Sequence, residues 1–319
     1  MKCDFRCINT KRSDFTFDLL HFTKKKSFYI SQITFHKSLF TKDTFYKLHL
    51  TQKEMDLNLK NKIVVVSGSA GKEGSIGETI VNRLADEGAI PVLVDRNARG
   101  FEYVERLQKR GVNSLFVQTD VTDPVAIENA VKVIAAKYGR IDAIINNVGV
   151  NDGAGLDSSY EDFMNSLKLN VVSYFLLAKY ALPYLKESKG NILNIGSKVA
   201  LTGQGGTSGY AAAKGGVLGL TREWAVDLIQ FGIRSNAIII AESYTPAYED
   251  WIKTLPDGET VLNKINKSIP LESRMTKTEE IADTALFIIS EKSSHTTGQF
   301  VFVDGGYVHL DRALISDVN

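Results

Sequence analysis

From Lys62 onward, short apolar runs alternate with stretches of helical periodicity. The runs Ile63–Ser67, Val92–Asp95, Ser114–Thr119, Ala143–Asn147, Asn191–Ile195, Ser235–Ile240 and Phe300–Val303 predict strands. Between them, Ile76–Glu87, Phe101–Arg110, Pro124–Tyr138, Tyr160–Leu185, Tyr210–Phe231 and Glu279–Ser290 predict helices. Wholly apolar strands need cover on both faces, so this alternation predicts βαβ units. The expected fold class is α/β: one domain holding a doubly wound parallel sheet of about seven strands, with helices on both faces. Pro91 is tolerable only near the start of its strand.

Composition changes the picture at one place. The 319 residues are 24% charged and 44% hydrophobic, with a net charge of +1, which argues against a nucleic-acid face. No run of 18 apolar residues exists, so no membrane span is expected, and two cysteines cannot make a disulfide framework. A cytoplasmic protein is the expectation. Residues 1–54, however, carry 11 Lys and Arg against 5 Asp and Glu, and contain no Gly or Pro. They fit neither a secretory signal nor a transit peptide. Residues 1–54 are therefore expected to be a disordered extension or the product of a start codon placed too early, with the folded domain at 55–319. Cys3, Cys7 and His21 lack the second ligand pair of a metal site, so no metal is expected.

In a doubly wound, Rossmann-type sheet the ligand sits beyond the carboxyl ends of the strands. The first strand runs into Gly68, then Ser75-Ile76-Gly77, a glycine-rich turn able to approach a pyrophosphate. A P-loop fails, because Lys72 is followed by Glu73. Asp95 ends the second strand and can accept both ribose hydroxyls of NAD. Arg96 beside it could instead pair with the 2′-phosphate of NADP, so NADP stays open. Asp120-Val121 after the third strand, with Asn147 and Gly149 after the fourth, complete the adenosine side.

Tyr210 and Lys214 are spaced i, i+4, so they share one helix face, and Ser197 lies 13 residues earlier at a strand end. Together with the glycine turn, Asn146-Asn147-Val148-Gly149, Asn170 and Asp304-Gly305-Gly306, these residues resemble the short-chain dehydrogenase/reductase family over about residues 56–310. The resemblance implies a catalytic tetrad of Asn170, Ser197, Tyr210 and Lys214, with Tyr210 and Lys214 also touching the cofactor and Thr245 near the nicotinamide amide. A homotetramer is implied as well. Two places depart from the family pattern. Ser75 replaces a glycine, and Ile240-Ala241-Glu242 stands where Pro-Gly is usual.

A narrower resemblance is to the sugar-oxidising, L-fucose dehydrogenase-like members. It rests on Asn147–Gly153, Ser197-Lys198 with Gly203-Gln204-Gly205, Leu220–Ala225, Ser294–Gly298 and the tail from Asp304 to Leu314. A free tyrosine titrates near ~10, too high for a base at neutral pH, so Lys214 and the cofactor are expected to lower Tyr210. Oxidation of an aldose at its anomeric carbon would then give a lactone. Asn151, Asp152, Ser197, Gln204, Tyr210 and Glu242 are the candidate substrate contacts; Trp251 fits a sugar face or a lid helix equally, and Trp224 a core or subunit interface. The alternatives are reduction of 3-oxoacyl thioesters, against which polar Asn151, Asp152 and Glu242 argue, and a dinucleotide-binding scaffold without turnover.

Overall fold

The computed structural model describes residues 56–310 throughout and, within residues 1–55, three strands. β1 (Arg6–Lys11), β2 (Asp14–Leu20) and β3 (Ile30–His36) form an antiparallel sheet in that order. The composition reading expects no sheet there. The overlooked signal is a period of two, Phe15, Phe17 and Leu19 alternating with Asp14, Thr16 and Asp18. Cys3, His21 and residues 311–319 lie outside the described residues. The described residues divide into two compact units, one before Asp56 and one from Asp56 onward.

The second unit begins with β4 (Ile63–Ser67), α1 (Ile76–Asp86), β5 (Ile90–Asp95), α2 (Arg99–Lys109) and β6 (Leu115–Gln118). It continues through α3 (Pro124–Tyr138), β7 (Ala143–Asn146), α4 (Tyr160–Leu167), α5 (Ser173–Ser188) and β8 (Asn191–Ser197). The last elements are α6 (Ser208–Leu228), β9 (Arg234–Ile240), α7 (Pro246–Lys253), α8 (Gly258–Lys267), α9 (Thr278–Ile289) and β10 (Phe300–Val303). The seven strands lie in the order β10-β9-β8-β7-β4-β5-β6, and every pairing is parallel. The order reverses between β4 and β7, which places the ligand crevice at that junction.

Alternation along β4 shows why both faces need cover. Val64 and Val66 join Ile80, Leu84, Leu107 and Leu286 in one core, under α1, α2 and α9. Ile63 and Val65 join Ile134, Leu177 and Trp224 in the other, under α3, α5 and α6. Local chemistry sets the helix ends. Asp123 Oδ1 accepts from the Val125 N–H just before Pro124, and Gly139 closes α3 at φ +71°.

Two details differ from the sequence reading. The single helix expected over 160–185 is α4 and α5 joined by a π-helical turn, Lys168–Val172, with Asn170 at its centre. Such turns concentrate at functional sites. α7 and α8 add to the helices read from periodicity, α7 matching the lid-helix reading of Trp251; neither buries a residue, and their few apolar side chains make no core-facing run.

Candidate active site

The glycine turn is built by close packing. Gly68 takes φ +66°, and a Cβ on it would lie 2.8 Å from Val148 Cα. Gly77, at the start of α1, is tighter: its Cβ would meet the Gly68 carbonyl oxygen at 2.1 Å. Asn147 braces both. Its Nδ2 donates to the carbonyls of Gly68 (2.9 Å) and Ser67 (3.2 Å), and its backbone N–H donates to Ser67 Oγ at 3.1 Å. That amide is therefore committed to the protein. Ser75, the N-cap of α1, makes no capping bond, and its buried Oγ has no partner among the described residues. A phosphate oxygen at this helix N-terminus would supply one.

Asp95 holds the next strand end, accepting from the N–H groups of Ala70 and Asn97, each at 2.9 Å. Asp120 accepts from the hydroxyl (2.7 Å) and the N–H (2.9 Å) of Thr122, which hold its carboxyl below the usual range. Gly68, Ser75, Ile76, Gly77, Asp95, Arg96, Asp120, Val121, Asn147, Gly149 and Thr245 all line one cavity of about 380 Å³. The orphaned Ser75 hydroxyl and the side-chain-free cradle at Gly68 and Gly77 fit a dinucleotide there. Thr245 caps α7, its Oγ1 accepting from the Tyr248 N–H at 3.2 Å, and Lys72 of the glycine loop forms an ion pair with Asp250 of α7.

The chemical end lies below Gly149. Ser197 is the last residue of β8, and Tyr210 and Lys214 stand on the first turns of α6. Lys214 is 2% exposed; its Nζ donates to the Ile195 carbonyl at 2.8 Å and to the Tyr174 hydroxyl at 3.0 Å. The same Nζ lies 5.7 Å from the centre of the Tyr210 ring. A side chain at position 149 would crowd it, because a Cβ there would come within 3.2 Å of Nζ. Burial pulls the Lys214 ammonium down to about 7. Tyr210 is pushed up, first by burial and then by the Asp152 charge, while a hydrogen bond from Ser197 opposes the shift. The expectation of a lowered Tyr210 is thus reversed in the protein alone. Desolvation outweighs the Ser197 hydrogen bond, and burial leaves Lys214 itself only partly charged near pH 7. Asn170 is fully buried and bridges two segments: Nδ2 donates to the Val150 and Ser166 carbonyls at 3.0 Å each, and Oδ1 accepts from the Val150 N–H at 2.8 Å.

The expected substrate contacts divide. Glu242 is not a free carboxylate. It forms an ion pair with Lys198 and accepts from the Tyr248 hydroxyl at 2.8 Å, while Lys198 Nζ sits 4.3 Å from the centre of the Tyr307 ring. Burial, reinforced by Glu242, raises Tyr248 well above the ordinary phenol value. Lys198, Tyr248 and Tyr174 are the site residues that sequence reasoning missed. Lys198 adjoins Ser197, which is the one signal for it in the sequence, but its partner lies 44 residues away. Asp152 accepts from Ser166 Oγ at 3.1 Å, whereas Asn151 and Gln204 stand exposed on loops outside this network. Trp251 packs edge-on against Tyr248 and Trp224 is buried in the core. Among the described residues, no cluster of His, Cys, Asp or Glu is placed to hold a metal, and no helix is long and apolar enough to cross a membrane.

Comparison with known proteins gives consistent matches. Residues 69–308 match the profile of a family described as enoyl-(acyl carrier protein) reductase. The L-fucose dehydrogenase of Oryctolagus cuniculus is 33% identical over 247 residues, 77% of this chain and 84% of that protein. A 3-oxoacyl-[acyl-carrier-protein] reductase of Thermotoga maritima is 32% identical, covering 79% of this chain and all of its own length. Among solved structures, that of Cj0485 dehydrogenase is 43% identical with a TM-score of 0.76, over 81% of this chain and 98% of that one.

Proposed function

The chain belongs to the short-chain dehydrogenase/reductase family and is an NAD(P)-dependent oxidoreductase, and from that premise we propose that it oxidises an aldose of L-fucose-like configuration at the anomeric carbon, giving the lactone. The bound nicotinamide supplies the acceptor for the hydride. Tyr210 is the general base that removes the hydroxyl proton, and Ser197 donates a hydrogen bond to the reacting oxygen. Lys214 in its ammonium form stabilises the Tyr210 phenolate and holds the cofactor ribose. Asn170 keeps the loop after β7 in register with the π-helical turn. Asp95 favours NAD over NADP, since a 2′-phosphate facing it would be repelled.

One observation carries the sugar reading: the buried Lys198–Glu242 pair with Tyr248, one residue beyond Ser197. The pair partners itself, but an ammonium has three donors and a carboxylate several lone pairs, so capacity remains that a polyhydroxylated ring fills and an acyl chain leaves unmet. The rabbit relative named for L-fucose agrees with this, and the Thermotoga relative named for oxoacyl reduction defines the rival. The test is a panel of L-fucose, D-arabinose, L-galactose, D-glucose and L-rhamnose with NAD or NADP, alongside an acetoacetyl thioester with the reduced cofactors. Efficient reduction of the thioester with no sugar oxidised would overturn the assignment. A cytoplasmic homotetramer accompanies this reading. The exposed Val226 on α6 and Ile229 just past its end offer an apolar face for assembly, checked by light scattering.

A further inference from the structure

Tyr174 projects from α5 and is 1% exposed, yet its hydroxyl is not idle. It donates to the Val148 carbonyl at 2.9 Å, with the Ile195 carbonyl also in range at 3.2 Å. With its single proton so used, the oxygen turns a lone pair toward Lys214 Nζ, 3.0 Å away. The carbonyls belong to the ends of the two strand segments that flank the site, β7 with its loop and β8. Lys214 thus has two fixed acceptors on this side, one being the Ile195 carbonyl and the other a phenol that Val148 orients.

We propose that Tyr174 is a positioning residue for the reaction: its hydroxyl, locked by Val148, fixes Lys214 Nζ beneath Tyr210 and stabilises the lysine in its ammonium form. The inference rests on Tyr210 acting as base and Lys214 as its cationic partner. The physical case is a comparison of acceptors. Burial disfavours the ammonium, so each hydrogen bond that Nζ retains weighs heavily in its protonation. The Ile195 carbonyl alone leaves the remaining N–H directions free to wander. The Tyr174 phenol is itself held un-ionised by burial, so it accepts from Lys214 without competing as a second anion. The titratable and charged groups facing this cluster are Tyr174 from α5, Tyr210 from α6, and Asp152, which acts on Tyr210 from the loop after β7.

The experiment compares wild-type enzyme with Tyr174→Phe and Tyr210→Phe in kcat/KM profiles from pH 6 to 10, at saturating cofactor. Turnover requires Tyr210 deprotonated and Lys214 protonated, so the profile is bell-shaped with apparent values belonging to the pair. With Lys214 near 7 and Tyr210 above the ordinary phenol value, the active pair is the minor tautomer between those values. Removing the Tyr174 oxygen should therefore move the rising limb to lower pH as the ammonium weakens, move the falling limb to higher pH as the phenolate loses its cation, and lower the plateau. Activity at pH 7 should fall by roughly tenfold, as expected for a lost charge-assisted bond. Site-specific 3-fluorotyrosine at position 174 keeps shape and fold but is a poorer acceptor, and should shift the limbs the same way by less. Unmoved limbs in both variants, or a uniform loss at every pH that follows a lower melting temperature, would overturn the proposal. Tyr210→Phe separates the two levels: if it stays active the underlying mechanism fails, whereas an inactive Tyr210→Phe beside a silent Tyr174→Phe defeats only the role of Tyr174.

Discussion

Replacing Glu242 by alanine tests the substrate end with a magnitude that the structure sets. The Lys198 and Glu242 side chains are 10% and 13% exposed, so the substitution leaves a nearly buried ammonium without its anion. Breaking a buried pair from one side costs about 3–5 kcal/mol. The Tyr307 ring, 4.3 Å from Nζ, still holds the cation and returns about 0.5–2 kcal/mol. A net loss of about 1–4.5 kcal/mol in stability is therefore expected, read by urea unfolding. If the pair also meets sugar hydroxyls, the loss of one partner group costs a further 1–3 kcal/mol or so in the transition state. That corresponds to a fall of about 5- to 150-fold in kcat/KM for the sugar, with the dissociation constant of NAD nearly unchanged. Combining Lys198→Met with Glu242→Leu isolates the two contributions, because an apolar replacement of a buried pair is often neutral or stabilising. Stability should recover in the double variant and sugar oxidation should not. Full recovery of turnover would show that the pair only supports the fold, and the reasoning would be refuted.

Three further outcomes are expected. Asp95→Ala should erase a wild-type preference for NAD in kcat/KM, and a wild-type preference for NADP would instead give Arg96 the phosphate. Lys214 near 7 in the fold and about 10.4 when unfolded means that the unfolded chain binds the extra proton between those values. Stability without cofactor should then rise with pH in that window, by up to about 1.4 kcal/mol per unit from this residue. Lys214→Met should lose that slope between pH 7 and 9.5, and equal slopes would contradict the burial argument. A chain starting at Met55 should keep the melting temperature and turnover of the full chain, since the seven-stranded sheet and the site lie within residues 56–310; a large loss of either would show that residues 1–54 take part.

The parallel sheet was legible because buried strands are apolar without interruption, and Ile63–Ser67 or Ala143–Asn147 cannot be read as amphipathic helix. That the residues after successive strands line one cavity was legible because strand ends carry them in fixed chain order. What stayed hidden depends on direction rather than residue type. Tyr174 reads as one more aromatic in an apolar helix, and only the fold reveals that its hydroxyl meets Lys214. Glu242 was visible as an acidic residue in an unusual place, yet its engagement by Lys198 and Tyr248 joins three separate elements. For Tyr210 in the protein alone, spacing shows a neighbouring cation but not the desolvation that weakens both groups. The π-helical turn was missed because Lys168–Val172 continues the same apolar period as its flanks.

The brace made by Asn147 has a bearing on affinity. By tying the Ser67 and Gly68 carbonyls to the end of β7, it holds the phosphate-facing turn in one conformation within the protein alone. Folding has thus already met an ordering cost of about 1–2 kcal/mol for each backbone residue in that turn, and the dinucleotide need not supply it on arrival. Tight binding can then arise from a modest number of contacts, because little of their free energy is diverted into arranging the receptor. On the proposed reading, Asn147 would bear on cofactor affinity through an amide that reaches only the protein's own backbone, as a keystone bears on an arch without touching what passes beneath.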